Sequence, residues 1–298
     1  MGIKDKVKSS VKKVILKYVL PIVLGIIIVA IIIYFIVPYS RLRNDFNSNL
    51  EKSIASTKEN KKDSTYSIED LPEAIQKFYK YTGLLNKVDS DHVNFEFKDA
   101  DFLNMNMNKT LKINYSEHIF AYEPVRFAFI DSSLYGIPFQ GLDSLINGKG
   151  NMKGVVAKNI TLFDEGGEEM DKATLVTWLS EVIFMPAEML SGDIEFVEID
   201  KNSIEVAVKY KDLKVKGIYK FLDNGELVEF STNDRAISKS NGSYEYRKWS
   251  ANFYDYKDTE GLLLPNTLKS SWYFDNDVVT YFDGNNVKYT FLKGSVLN

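Results

Sequence analysis

The stretch HVNFEFKDADFLNMNMNKTLKINY, residues 92–115, decides the fold class of this chain. Its apolar residues alternate with polar ones in three runs, which are Val93, Phe95, Phe97, then Leu103, Met105, Met107, then Leu111, Ile113, Tyr115. A period of two is typical of antiparallel strands with one buried face and one face in water. The stretch therefore predicts a half-buried antiparallel sheet.

Similar alternation continues almost to the end of the chain. Further strands are predicted near 125–131, 142–147, 150–157, 159–163, 204–208, 213–221, 243–256, 262–274, 277–283 and 286–293, with hairpin turns at Asp223-Asn224-Gly225, Asn241-Gly242, Glu260-Gly261 and Asp283-Gly284-Asn285. A dozen or more strands in one domain favour a single curved sheet or an open barrel, since long sheets curl. The fold class predicted is mainly β (α+β).

Two amphipathic helices interrupt this pattern and are expected to pack on one face of the sheet. The first runs from Pro72 to a stop at Gly83, and the second follows a cap at Asp171 and ends or kinks at Pro186. Between the sheet and these helices, the concave face either fills itself or encloses an apolar ligand.

A separate apolar stretch precedes the domain. Residues 18–37, YVLPIVLGIIIVAIIIYFIV, contain no charge, and 20 helical residues span ~30 Å, the thickness of a hydrocarbon core. Tyr34 and Tyr39 suit the interfacial aromatic belt. We expect a basic N-terminus over 1–17, a transmembrane signal anchor over 18–37, a polar stalk or linker over 38–66 and a β-rich domain over 67–298.

Charge predicts the orientation and excludes one class of partner. Residues 1–40 hold six of the 37 basic residues and one of the 41 acidic ones, so the positive-inside rule places the N-terminus in the cytoplasm and the domain outside. The remaining residues carry a net charge of about −9. A nucleic-acid partner is not expected, because phosphate binding needs a concentrated basic surface. The expected partner is the bilayer, through residues 18–37, together with a hydrophobic ligand.

Several short patterns, taken together, resemble a known family. They are Leu71-Pro72 with Phe78-Tyr79 and Gly83, Gly148–Met152, Leu179–Glu181, Met185–Met189, Asp234-Arg235, Trp249, Gly261 with Pro265, and Trp272. This ensemble resembles an uncharacterised bacterial family over most of residues 68–293. The layout is also similar to the LolA/LolB-like fold of lipoprotein localisation factors, which implies an unclosed β-barrel with a helical lid that holds acyl chains.

No motif in the sequence predicts catalysis, a metal site or a cofactor. The chain has no cysteine, and its two histidines, His92 and His118, belong to no metal-binding pattern. The candidates for a ligand cavity are Phe127, Phe129, Trp178, Glu181, Tyr219, Phe221, Trp249 and Trp272, and the candidates for a polar network are Arg126 and Arg235. We expect Glu181 to pair with Arg126 or Arg235.

Three functions remain open from sequence. The first is a membrane-anchored carrier for a lipid or other hydrophobic ligand at the bacterial cell envelope. The second is an envelope hydrolase that uses acidic residues, which requires two carboxyl groups converging in one cleft with at least one buried. The third is a protein-interaction module, which would expose a contiguous apolar patch.

Overall fold

The computed structural model describes residues 3–37, 40–105, 108–238 and 243–294. The chain forms two compact units, Met1–Ser40 and Arg41–Asn298. In the first unit, helix α1 (Ile3–Val14), a π-helical turn (Ile15–Val19) and helix α2 (Leu20–Ile36) follow one another. By length and composition, this is the one helix in the described part of the chain that could cross a membrane; its most apolar 18 residues have a mean hydropathy of 3.2 and are fully exposed.

The second unit is dominated by one antiparallel sheet. The strands are β1 His92–Asn104, β2 Lys109–Phe120, β3 Arg126–Leu134, β4 Ile137–Ile146, β5 Lys149–Val156, β6 Ile160–Gly166, β7 Ile194–Asp200, β8 Ser203–Tyr210, β9 Leu213–Phe221, β10 Leu227–Thr232, β11 Ala236–Ser238, β12 Tyr244–Tyr246, β13 Trp249–Tyr254, β14 Lys257–Thr259, β15 Leu262–Leu264, β16 Thr267–Phe274, β17 Asp277–Asn285 and β18 Lys288–Leu292. Fourteen of them share a sheet in the order β6-β5-β4-β3-β2-β1-β17-β16-β13-β10-β9-β8-β7, with β18 also paired to β1. The prediction of a mainly β fold with one large antiparallel sheet is confirmed.

The sheet curls around a central helix, α5 (Glu168–Glu181). This helix contacts β5 near one end of the strand order and β9 near the other, so the sheet folds back on itself around α5. Register shifts accompany the curvature, for example between Phe97 and Ala100 of β1, because a bulge bends and twists its strand. The sequence predicted a one-sided helix here, but nine of its 14 residues are buried, including Thr174 and Ser180, because the sheet encloses it.

The remaining inner helices fill one end of the concave face. Helix α4 (Glu73–Thr82) follows Pro72 and ends at Gly83, whose φ of +74° suits glycine, as the sequence predicted. Helix α6 (Pro186–Met189) begins at the proline expected to end or kink the second helix. Phe78 of α4 packs against Phe184 with ring centroids 6.0 Å apart, which joins α4 to the chain after α5.

The segment expected to be a polar stalk differs in the structure. Residues Arg41–Glu59 form helix α3, whose apolar side chains recur every fourth residue and are buried against the outer face of β2, β3 and β4. Phe46 meets the rings of Phe127 and Phe129 at 5.6 and 5.5 Å. Residues 41–59 are therefore part of the domain, because burying this stripe outweighs the hydration of the polar residues around it.

Under α3, the outer face also buries both histidines. His92 Nδ1 lies 2.7 Å from Asp91 Oδ1, and Asn94 Nδ2 lies 3.1 Å from His118 Nε2. Burial, with the nearby His92, lowers the pKa of His118 to about 3. His118 is therefore neutral at physiological pH, and its ring packs 5.8 Å from Phe46.

Three predictions fall on residues outside the described ranges. These residues are Met107, Tyr39 and the turn at Asn241-Gly242. The turn predicted at Asp283-Gly284-Asn285 is displaced, since these residues complete β17 and the chain reverses after Asn285.

Candidate functional site

The concave face of the domain contains two adjoining cavities. The smaller has a volume of about 220 Å³ and lies between β2, β3, α5 and β13; the larger, of about 470 Å³, lies towards β1, β6 and the short strand β11. Ile130, Met152, Met170, Arg235 and Tyr281 are among the residues that line both, so the two cavities share a wall. The larger volume falls within the ~300–1,000 Å³ range typical of ligand pockets.

Helix α5 is held close to the sheet by a glycine and an aspartate. A Cβ atom at Gly150 would lie 2.3 Å from the backbone oxygen of Met170, so only glycine permits this approach. Asp171, expected to cap the helix, instead lies within its first turn and accepts hydrogen bonds from the Gly150 N–H (2.7 Å) and Lys149 Nζ (2.8 Å). These contacts fix the helix that separates the cavities from the packed core.

A buried ionic cluster forms the polar end of the smaller cavity. Arg126 is 2% exposed and is surrounded by three carboxyl groups: its Nη1 lies 2.7 Å from Asp143 Oδ2, its Nε lies 3.4 Å from Glu181 Oε2, and its Nε also contacts Glu117 Oε1. Its Nη2 donates to the hydroxyl of Tyr115 at 2.8 Å. Arg126 therefore has a partner on every nitrogen.

The surroundings raise the pKa of both glutamates of the cluster. Burial raises the pKa of Glu117 and raises that of Glu181 further, because the charge of Glu117 adds to the effect on Glu181. A hydrogen bond between the two carboxyl groups favours the protonated form of Glu181 and the ionised form of Glu117. Two carboxyl groups with raised pKa values thus converge beside Arg126.

Arg235, between β10 and β11, is the second arginine of the site. Its guanidinium carbon lies 4.6 Å from the ring centre of Trp249 and 5.8 Å from that of Trp272. Its Nη1 donates to the carbonyl of Ala173 at 2.9 Å and to the hydroxyl of Thr177, both on α5. The described residues provide no carboxylate partner for Arg235, unlike Arg126.

Five of the ten side chains predicted for the site line the cavities. They are Arg126, Glu181, Arg235, Trp249 and Trp272, and the expected pairing of Glu181 is with Arg126.

The other five do not line them. Phe127 and Phe129 point to the outer face and pack under α3, because the alternation along β3 places Arg126, Ala128 and Ile130 inside. Trp178, Tyr219 and Phe221 belong to the packed core: Trp178 Nε1 donates to the Phe120 carbonyl at 3.1 Å, and the Tyr219 hydroxyl donates to the carbonyl of Leu179.

Sequence reasoning missed the partners of Arg126. Glu117 follows Ile113 and Tyr115 at the alternating, inward positions of β2, and Asp143 occupies an inward position of β4 opposite Ala128. The sequence did contain a signal, namely an acidic residue at a core-facing position of an alternating strand. Because isolated buried carboxylates are rare, such a residue indicates a buried partner.

Comparisons with solved structures give distant matches of similar extent. A LolA superfamily protein from Nitrosomonas europaea is 12% identical with a TM-score of 0.34, covering 72% of this chain and 94% of its own. A domain described as an outer-membrane lipoprotein-sorting protein, from Vibrio parahaemolyticus, is 10% identical (TM-score 0.37; 70% and 92%), and a DUF1329 family protein from Desulfovibrio piger is 9% identical (TM-score 0.39; 72% and 93%). The similarity to these three proteins concerns the fold alone.

A search of curated proteins gives no match. A family model, in contrast, matches residues 63–284, which cover most of the domain and include the lining residues of both cavities from Phe97 to Phe282. The resemblance of the sequence to an uncharacterised family is thereby confirmed: this chain belongs to DUF6544, a family of unknown function.

Proposed function

We propose that this protein is a membrane-anchored, extracytoplasmic binding or carrier protein for a lipid or other hydrophobic ligand at the bacterial cell envelope. One observation carries the proposal: the concave face encloses two adjoining cavities, although the core around them is closely packed. Pockets for apolar ligands combine a largely apolar wall with a few polar groups, and here Trp249, Trp272 and Ile130 supply the wall while Arg126 and Arg235 mark polar positions.

The empty volume argues for a ligand on energetic grounds. The apolar side chains that line the two cavities are not fully covered by the rest of the domain, so an apolar ligand would remove more of their surface from water. A bound apolar chain would recover about 0.8 kcal/mol for each methylene that it buries.

Filling the cavity tests the proposal. Met152 lines both cavities, whereas its neighbour Lys153 lies on the opposite face of β5 and pairs with Asp164. Full-length wild-type, Met152→Trp and Lys153→Trp proteins would be purified in the same detergent, and their bound lipids counted by mass spectrometry. We expect wild type and Lys153→Trp to retain a stoichiometric lipid that Met152→Trp lacks; equal lipid content in all three would refute the carrier function.

The location of the domain is a separate part of the proposal. The apolar helix over 18–37 and the six lysines before it support a single-pass plasma-membrane protein with its N-terminus in the cytoplasm. Alkaline phosphatase fused after Asn298 should be active in intact cells, and green fluorescent protein at the same point should be dark. The reverse pattern would refute the orientation.

Acid-catalysed hydrolysis in the same cavity is the second candidate. It is favoured by the convergence of Glu117 and Glu181, whose mutual hydrogen bond favours the protonated form of Glu181 and the ionised form of Glu117, the forms that a general acid and a general base require. Glu181 would protonate the leaving oxygen while Glu117 takes a proton from the attacking water. If the protein hydrolyses ester or glycoside substrates, Glu181→Gln should lower the rate by about 10²-fold or more; the absence of turnover on both classes would refute this function.

A further inference from the structure

Arg235 presents an unused hydrogen-bonding edge at the boundary of the two cavities. Among its nitrogens, Nη1 is bonded to α5, while Nε is buried and has no partner, and the described residues accept no bond from Nη2. Nε and Nη2 form one edge of the guanidinium plane, with two parallel N–H groups. That edge is the one that binds a carboxylate or phosphate through two hydrogen bonds.

The surroundings of Arg235 fix its orientation without neutralising it. Trp249 and Trp272 face each other across β13 and β16 and contact the face of the guanidinium group, which leaves the edges free. Of the carboxylates nearby, Asp234 accepts the backbone N–H of Lys216 and Glu169 accepts the hydroxyl of Tyr246, while Glu165 lines the larger cavity together with Arg235. The guanidinium group of Arg235 is thus held in place, and no carboxylate of the described residues forms an ion pair with it.

The two ends of the combined cavity differ in chemistry. In the smaller cavity, Arg126 is enclosed by Glu117, Asp143 and Glu181, and each of its nitrogens has a partner. The larger cavity runs from Arg235 past Trp272 and Phe139 and is mostly apolar. An elongated molecule with one charged end fits this arrangement, with its charge at Arg235 and its apolar part in the larger cavity.

We propose that Arg235 binds the anionic head group, a carboxylate or a phosphate, of an amphiphilic ligand whose apolar chain occupies the larger cavity. The inference rests on the proposed carrier function and adds the chemical class of the ligand. A two-bond contact to a charged oxygen group should favour the anion over a neutral analogue of equal chain length by about tenfold or more.

A competition experiment on the full-length protein in liposomes tests this. A diazirine derivative of dodecanoate is the photoprobe, and dodecanoate, dodecyl phosphate and dodecanol are the competitors, with concentrations measured in the bilayer. The readout is the labelling of peptides from residues 67–294, normalised to peptides from residues 18–37. Wild type should be competed by both anions at about tenfold lower concentration than by dodecanol, and whichever anion is stronger identifies the preferred head group.

Variants of Arg235 test whether this residue causes the preference for anions. Arg235→Gln should abolish the preference for anions while retaining competition by dodecanol, and Arg235→Lys, which keeps a charge but lacks the two-pronged edge, should give an intermediate preference. Arg247→Gln is the matched control, because Arg247 pairs with Glu245 and Asp275 and lines neither cavity. If Arg235→Gln fails to fold, as judged by tryptophan fluorescence, Arg235→Lys provides the test.

The outcomes separate the two proposals. Equal competition by the anions and dodecanol in wild type overturns the role of Arg235 and leaves the carrier function standing. A preference for anions that persists unchanged in both Arg235 variants overturns it as well. Failure of all three competitors to reduce labelling overturns the carrier function and the inference together.

Discussion

Glu188 should make the domain less stable as pH rises through neutrality. Its carboxyl group is buried at the start of α6 and accepts the backbone N–H of Tyr122 in the turn between β2 and β3. Burial raises its pKa from 4.5 to about 7, and the hydrogen bond from Tyr122 only partly offsets this. The folded protein thus binds a proton at Glu188 that the unfolded chain has already lost.

The sign and size of the effect follow from linkage. A raised folded-state pKa contributes stability that is fully present below pH 4.5 and is lost as pH rises to about 7. At about 1.36 kcal/mol per pKa unit, the shift amounts to about 3 kcal/mol in the free energy of unfolding. Replacing Glu188 with Gln keeps an oxygen for the Tyr122 N–H and removes the charge, so this loss should disappear.

Urea unfolding at pH 5 and pH 8 measures the difference. All three tryptophans, Trp178, Trp249 and Trp272, lie in the domain, so their fluorescence in the full-length, detergent-solubilised protein reports its unfolding. The stability of Glu188→Gln relative to wild type should increase by about 2 to 3 kcal/mol between pH 5 and pH 8. The exposed Glu198→Gln should show no such change. A relative stability of Glu188→Gln that is the same at both values would refute the assignment of a buried, proton-binding carboxyl group.

Three further predictions concern the packing of α5 and α3 against the sheet and the histidine buried under α3. Gly150→Ala should destabilise the domain by about 2 kcal/mol or more in urea unfolding, because the new Cβ would lie 2.3 Å from a backbone carbonyl oxygen of α5. In the control Gly166→Ala, the nearest atom would be 3.5 Å from the new Cβ, and stability should change by under about 1 kcal/mol. Phe46→Ala should cost about 3–5 kcal/mol and make α3 sensitive to proteases, while the exposed Lys52→Ala should leave both properties unchanged. His118→Asn should reduce the loss of stability on acidification. The pKa of the wild-type histidine is lowered from 6.5 to about 3, so this residue contributes stability above pH 6.5 that is lost towards pH 3. Equal slopes of unfolding free energy against pH in the two proteins would contradict this.

The sheet was predictable where a strand has one buried face and one face in water, as in β9. The alternation in residues 92–115 depends on that asymmetry. The sequence shows three short runs there, whereas the structure has one long strand, β1, followed by β2. Their merging was not predictable, because the break between the first two runs is a bulge near Asp99, whose φ is +54°. A bulge changes the phase of the alternation without ending the strand.

The faces of β3 could not be assigned from sequence for a related reason. Both of its faces are buried, the inner one by α5 and the outer one by α3, so the large aromatic residues Phe127 and Phe129 looked like lining of the concave face. The decisive information lay in residues 41–59, where a stripe of four apolar residues is diluted by Ser, Asn and Lys. Recognising that stripe as a packed helix would have placed the two phenylalanines outside and Arg126 inside.

The two arginines of the site differ in the partners that the protein provides for them. A buried guanidinium group is tolerated when its donors are satisfied and its charge is balanced, and Arg126 meets both conditions within the protein through Tyr115, Asp143 and the two glutamates. Arg235 meets neither: α5 satisfies one of its nitrogens and the two tryptophans contact its face, but its Nε is buried without an acceptor. Because removing such a donor from water costs about 1–3 kcal/mol unless an acceptor replaces the water, the arrangement is favourable only when something else supplies the acceptor. We propose that an anionic group on a ligand supplies this acceptor, since the other arginine of the cavities already has acidic partners.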